Sequence, residues 1–243
     1  MIKMNRLFFM ALALSFTVSS CFFDDDGPFG CINGEGPMVT EELNLADFSG
    51  IELDISADVV VKQGPEQEVI VEGKQNIIDE LERDVKNGIW EIDVDGCVTD
   101  MGNMRIFVTL PDITSLKISG SGKIESENVL LVNDINLRIS GSGDMDLDLE
   151  ADDIDAKISG SGEMILDGLA KDLNFKISGS GDLHAFGLET QFADIDISGS
   201  GDAEVFVVQE LDVKISGSGD VTYLGNPLLD VSISGSGKVK DGN

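Results

Sequence analysis

Between Asp153 and Leu166, apolar or small side chains occupy every second place. Ile154, Ala156, Ile158, Met164 and Leu166 alternate with Asp155, Lys157, Ser159, Ser161, Glu163 and Ile165. A period of two predicts half-buried β-strands. The same pattern recurs around the word ISGSG, whose opening isoleucines are Ile118, Ile139, Ile158, Ile177, Ile197, Ile215 and Ile233. The steps between them are 21, 19, 19, 20, 18 and 18 residues. A fixed period near 20 with self-similar strands predicts a solenoid. The fold expected is therefore all-β, a parallel β-helix or β-solenoid of about 19–20 residues per coil. A β-sandwich of short strands is the alternative, but independent strands have no reason to repeat one corner. Stacked coils roughly 4.8 Å apart would make a rod of roughly 30 Å.

Alternation also assigns directions within the word. The isoleucine points in, the two serines point out and the two glycines fall on inward places. Glycine there would let the backbone turn a tight corner close to the core. The outward places form columns. Three residues before the isoleucine stand Ser115, Asn136, Asp155, Asn174, Asp194, Asp212 and Asp230. One residue before it the column is mostly Lys or Arg, which would partly neutralise its neighbour. Five residues after it stand Lys123, Asp144, Glu163, Asp182, Asp202, Asp220 and Lys238. Lysine in the first and last copies would discourage edge-to-edge pairing.

Residues 38–116 are less regular and read as the start of the same solenoid. Ile55-Ser56-Ala57-Asp58-Val59 reads as a decayed copy of Ile215 to Val221. Gln75 to Leu81 has the look of a short helical turn, and Asn87-Gly88 predicts a type I′ hairpin. Arg105 to Leu110 reads as a strand ended by Pro111. Trp90 is assigned to packing in a core or cap.

The first 20 residues have the anatomy of a signal peptide: Lys3 and Arg6, then a largely apolar run of 12 residues from Leu7 to Val18, too short to span a bilayer as a helix. Val18-Ser19-Ser20-Cys21 resembles a bacterial lipobox, which implies cleavage before Cys21 and a lipid anchor on it. An ordinary secretory signal with a chance cysteine is the plainer alternative. Asp24, Asp25 and Asp26 resemble the acidic export signal of Bacteroidetes-type surface lipoproteins, or serve as a solvated spacer. The expected organisation is a signal at 1–20, a Gly- and Pro-rich tether at 21–37, an irregular β region at 38–116 and the repeat array at 117–243.

The chain carries 16 basic and 46 acidic residues, a net charge of −30. That balance disfavours nucleic acid and anionic headgroups and favours cations or basic partners. With Cys21 assigned to lipid, Cys31 and Cys97 are an even pair in an exported protein, where a disulfide can persist. Two unrelated thiols are the alternative.

An anchored N-terminus, a strand-rich start and many ISGSG-D corners together resemble the DUF2807 family, also called the auto-transporter adhesin head GIN domain, over about residues 45–237. The resemblance implies a β-helix-like fold in a cell-envelope protein of Bacteroidetes. It carries no functional residues across.

The expected function is a non-catalytic envelope lipoprotein, at the outer membrane and facing the periplasm or the cell surface, that acts as an adhesin-like or scaffold module. No cofactor is required by the sequence. Three ligand readings stand beside it. Asp144 and Asp146 could offer oxygens to Ca²⁺, which takes 6–8 of them; a solvated acidic face is the simpler reading. The serine rows, Ser119, Ser121, Ser140, Ser142, Ser159, Ser161, Ser178 and Ser180 among them, could meet a surface glycan or protein. The array lacks a polar cap at its C-terminal end, where a homodimer could form. A polysaccharide-acting enzyme is least expected, because its carboxylates would have to break the regular columns. His184, the one histidine, reads as a surface substitution rather than a base.

Overall fold

The computed structural model describes residues 31–243. Cys21 and Asp24 to Asp26 lie outside the described residues. The fold is an all-β solenoid of about seven turns, and no sandwich is needed to describe it.

Each regular coil runs up one flank, through the Ser-Gly-Ser-Gly corner, and along a second and third flank. Asp144–Ile158, Glu163–Ile177, Asp182–Ile197 and Ala203–Ile215 are single long strands bent round these flanks. They stack in parallel with matching register: Ile139 pairs Ile158, Ile158 pairs Ile177, Ile177 pairs Ile197, and Ile197 pairs Ile215. Period-two alternation sends these isoleucines inward, and Ile118 to Ile215 are at most 2% exposed. Parallel stacking covers both long edges of the strands inside the stack, so the core is one continuous column of like side chains.

The chain starts the stack from the second position. Gly50–Leu53 pairs with Ser115–Ile118 on one side and with Ile89–Ile92 on the other. Asp58–Gln63 likewise lies between Lys123–Ser126 and Arg105–Leu110. Between these passes the chain leaves to build a cover. Glu68–Lys74 runs antiparallel to Arg105–Leu110, and Met38–Glu42 runs antiparallel to Glu68–Lys74. The helix Gln75–Ile78 buries Ile77 and Ile78 over this end. Val85–Lys86 folds back on Ile89–Ile92 through Asn87 and Gly88, at φ 55° and 76°, the left-handed pair a type I′ turn requires. Trp90 is fully buried, with its Nε1–H donating to the Glu82 carbonyl at 3.0 Å. Cys31 and Cys97 are disulfide-bonded, joining Ile32–Asn33 to Val98–Asp100 at this same end.

The register corrects one alignment made from the sequence. Leu53, not Ile55, sits beside Ile118, and Asp58 sits beside Lys123. The decayed copy is thus Leu53-Asp54-Ile55-Ser56-Ala57-Asp58, with Ile55 and Ala57 where later coils have glycine. An isoleucine in the wrong place drew the alignment two residues off.

Candidate functional site

The corner is the feature that repeats, and its glycines are required for a reason the sequence reading missed. Among them only Gly235 has a left-handed φ, so conformational freedom does not explain the others. The stack does. A Cβ on Gly160 would lie 1.9 Å from the Gly141 carbonyl oxygen, and one on Gly162 would lie 2.0 Å from that of Gly143. Each coil rests its corner backbone directly on the coil before, where no side chain fits.

Hydrogen bonds follow the same contact. Ser140, Ser159, Ser178, Ser198, Ser216 and Ser234 each donate their N–H to the carbonyl of the preceding coil's isoleucine, at 2.7–2.8 Å. The serine N–H groups are therefore satisfied by the coil before, and the serine side chains are left over. Ser121, Ser140, Ser142, Ser159, Ser161, Ser178 and Ser180 are all exposed. Among the described corner serines, only Ser119 directs its hydroxyl to another side chain, Glu52 at 3.1 Å. Two rows of free hydroxyls thus run up the outside of the stack.

The acidic column after the corner has a structural task. Asp144 Oδ1 accepts the N–H of Glu163, Asp182 Oδ1 that of Asp202, Asp202 Oδ1 that of Asp220, and Asp220 Oδ1 that of Lys238, at 3.2, 2.8, 2.7 and 2.8 Å. Where the lower residue is Lys123 or Glu163, the N–H above turns instead to the carbonyl of Gly122 or Gly162. An aspartate carboxylate has the reach to cap the next coil's amide; glutamate here does not take that role. Asp58 also does not cap Lys123, whose N–H goes to the Ala57 carbonyl.

The structure places Asp144 and Asp146 on one flank, two residues apart. Asp144 has one oxygen engaged with Glu163 N–H, and Asp146 lies 3.7 Å from Lys123 Nζ, which also pairs Glu125 at 2.8 Å. Those carboxylates raise the Lys123 pKa, the Glu125 hydrogen bond most of all. Basic and acidic columns also pair between coils on the other flank, Arg138 with Asp155 at 3.0 Å and Lys214 with Asp194 at 3.7 Å.

His184 binds three successive coils together. Its Nδ1 lies 2.9 Å from Glu204 Oε2 and its Nε2 lies 3.2 Å from Glu163 Oε1. The Glu204 hydrogen bond, with the charges of Glu163, Glu204 and Asp182, holds the imidazole pKa above its ordinary value. Set between two carboxylates, the ring forms an ion-pair clasp whenever it is protonated.

One carboxylate group escaped the sequence reading. Asp54, Glu91 and Asp93 bring carboxylate oxygens within 4.8 Å of one another. Burial raises the Asp54 carboxyl above its usual range, with Glu52 and Glu91 adding to it, and its Oδ1 is buried without a hydrogen-bond partner. These three are the described residues best arranged to hold a cation. They come from segments some 40 residues apart, and only the parallel pairing of Gly50–Leu53 with Ile89–Ile92 unites them.

Comparison with known proteins bears on what such a surface is for. The family described as "Putative auto-transporter adhesin, head GIN domain", DUF2807, matches residues 47–227. The chain belongs to this family. Its fold is shared with solved structures. A "putative adhesin" from Bacteroides fragilis aligns with TM-score 0.79 at 21% identity, covering 86% of this chain and 99% of that one. A "putative lipid binding protein" from Parabacteroides distasonis gives 0.74 at 24%, covering 87% and 99%. A "putative adhesin" from the same organism gives 0.72 at 26%, covering 86% and 99%. Comparison with the curated proteins finds no match.

Proposed function

We propose that this protein is a non-catalytic, adhesin-like module of the cell envelope, held to the outer membrane by lipid on Cys21 and presenting a stiff acidic stack to its surroundings. The observation that carries this reading is how the outward groups are used. The Asp column caps backbone amides, Arg138 and Lys214 of the basic column pair with carboxylates, and His184 clasps two glutamates. Each makes the rod stiffer; none assembles a nucleophile, a base and an oxyanion site. The family's adhesin description and its solved relatives from Bacteroidetes agree with a surface or envelope role.

Attachment of cells tests it. Cells displaying the full chain should adhere to a polysaccharide- or protein-coated surface, and Cys21→Ser should abolish attachment and release the protein from the membrane fraction. Equal attachment by the Cys21→Ser cells would refute the anchored reading. Consumption of a polysaccharide by the wild-type chain would refute the non-catalytic one.

A second reading concerns what is bound. The exposed serine hydroxyls have few partners of their own, which favours a polar, extended ligand such as a glycan strand. Glycan-array signals that vanish when Ser159, Ser161, Ser178 and Ser180 are changed to Gln, with the melting temperature unchanged, would support it. Signals that survive would reject it.

A further inference from the structure

The two ends of the stack are unlike. At the N-terminal end, antiparallel strands and the helix cover the coils. At the other end, Leu228–Ile233 and Val239–Asp241 pair only on their inner sides among the described residues. The inward column that is closed everywhere else opens here: Leu229 is 45% exposed, Val231 37% and Ile233 42%, while their stacked counterparts Leu211, Val213 and Ile215 are buried. Leu228 beside them is 76% exposed. An open parallel edge over bare apolar side chains is a surface made to be covered.

We propose that a second copy of this chain covers it, end to end, across a twofold axis through Val231. Charge is the first argument. A chain with net charge −30 should repel its own kind, yet residues 226–243 hold two acids, Asp230 and Asp241, and two lysines, Lys238 and Lys240. These charges cancel, so this end can approach another copy with little charge penalty. Closure is the second. Among the described residues, the cover of antiparallel strands and helix at the opposite end presents no open coil like that of Leu228–Ile233, which favours tail-to-tail pairing and a closed dimer over head-to-tail growth.

Side-chain direction limits the register, and charge selects within it. Antiparallel partners share a sheet face, so inward residues must meet inward residues. An axis on Asp230 would set two carboxylates against each other. An axis on Val231 sets Val231 against Val231 of the second copy, Leu229 against Ile233, and Asp230 against the Ser232 hydroxyl. The last arrangement buries apolar against apolar and gives each carboxylate a donor.

Cysteine cross-linking in the full chain tests this directly. Directly opposed residues of an antiparallel pair lie about 4.5–5.5 Å apart at Cα, inside the about 4.4–6.8 Å a disulfide spans. Val231→Cys should give a disulfide-linked dimer on mild oxidation, and Val208→Cys, exposed on a flank, should not. Val231→Asp should weaken self-association roughly 100-fold or more, since both copies bring the charge to the axis. A monomer for wild type at all concentrations, with Val231→Cys uncross-linked, would overturn the proposal. So would equal cross-linking at Val208→Cys. Coverage by another protein or by residues 1–30 would appear as such a monomer.

Discussion

Asp202 Oδ1 accepts the backbone N–H of Asp220 at 2.7 Å, one coil further along the stack. The side chain thus does for the corner what a main-chain carbonyl does elsewhere. Asp202→Ala should lower stability by roughly 1 kcal/mol, the net worth of one hydrogen bond. Asp202→Asn keeps an acceptor at the same reach and should recover most of the loss. Denaturant melts of the two variants decide this. Equal losses would show that charge, not the hydrogen bond, matters there.

The corner glycine makes a sharper demand. Gly160→Ala would set a methyl 1.9 Å from the Gly141 carbonyl oxygen. Backbone on both sides is fixed by pairing, so the coils must part. A loss of at least about 2 kcal/mol is expected, in the range of overpacked sites. Ser161→Ala, on an exposed neighbour, should be near neutral. A tolerated Gly160→Ala would mean that the coils separate easily.

His184 gives the stack a pH dependence. Its folded pKa is raised by the Glu204 hydrogen bond and by neighbouring carboxylates. A raised histidine stabilises the fold fully below its unfolded value of about 6.5. The contribution is lost as pH rises through the higher folded value. His184→Gln should therefore cost stability in mildly acidic buffer and little at alkaline pH. The ring is partly exposed, so the effect is modest and should fall with salt. Stability differences between wild type and variant that do not change with pH would contradict the clasp.

The regular coils were legible because each obeys one short-range rule. Alternation about Ile158 fixed which side chains turn inward, and seven copies of one corner fixed parallel stacking. What alternation cannot show is the neighbouring coil. Gly160 reads as an inward residue at a bend, and only the carbonyl of Gly141 beneath it explains the missing side chain. Asp182 reads as solvated acid until Asp202 N–H stands above it. The first coils were harder still. The 50–53 strand lies between segments that follow it in sequence, so the meeting of Asp54 with Glu91 and Asp93 follows from topology and leaves no local trace.

The central claim is that the chain's own groups tie the coils together, so that the acidic columns need no cation to hold the rod. A thermal melt in EDTA, then in 5 mM Ca²⁺ and in 5 mM Mg²⁺ (about the concentration weak extracellular calcium sites require), tests it most directly. The account predicts closely similar melting temperatures in all three. A rise of many degrees with Ca²⁺ alone, lost on changing Asp144 and Asp146 or Asp54, Glu91 and Asp93, would contradict it and make this a calcium-loaded module.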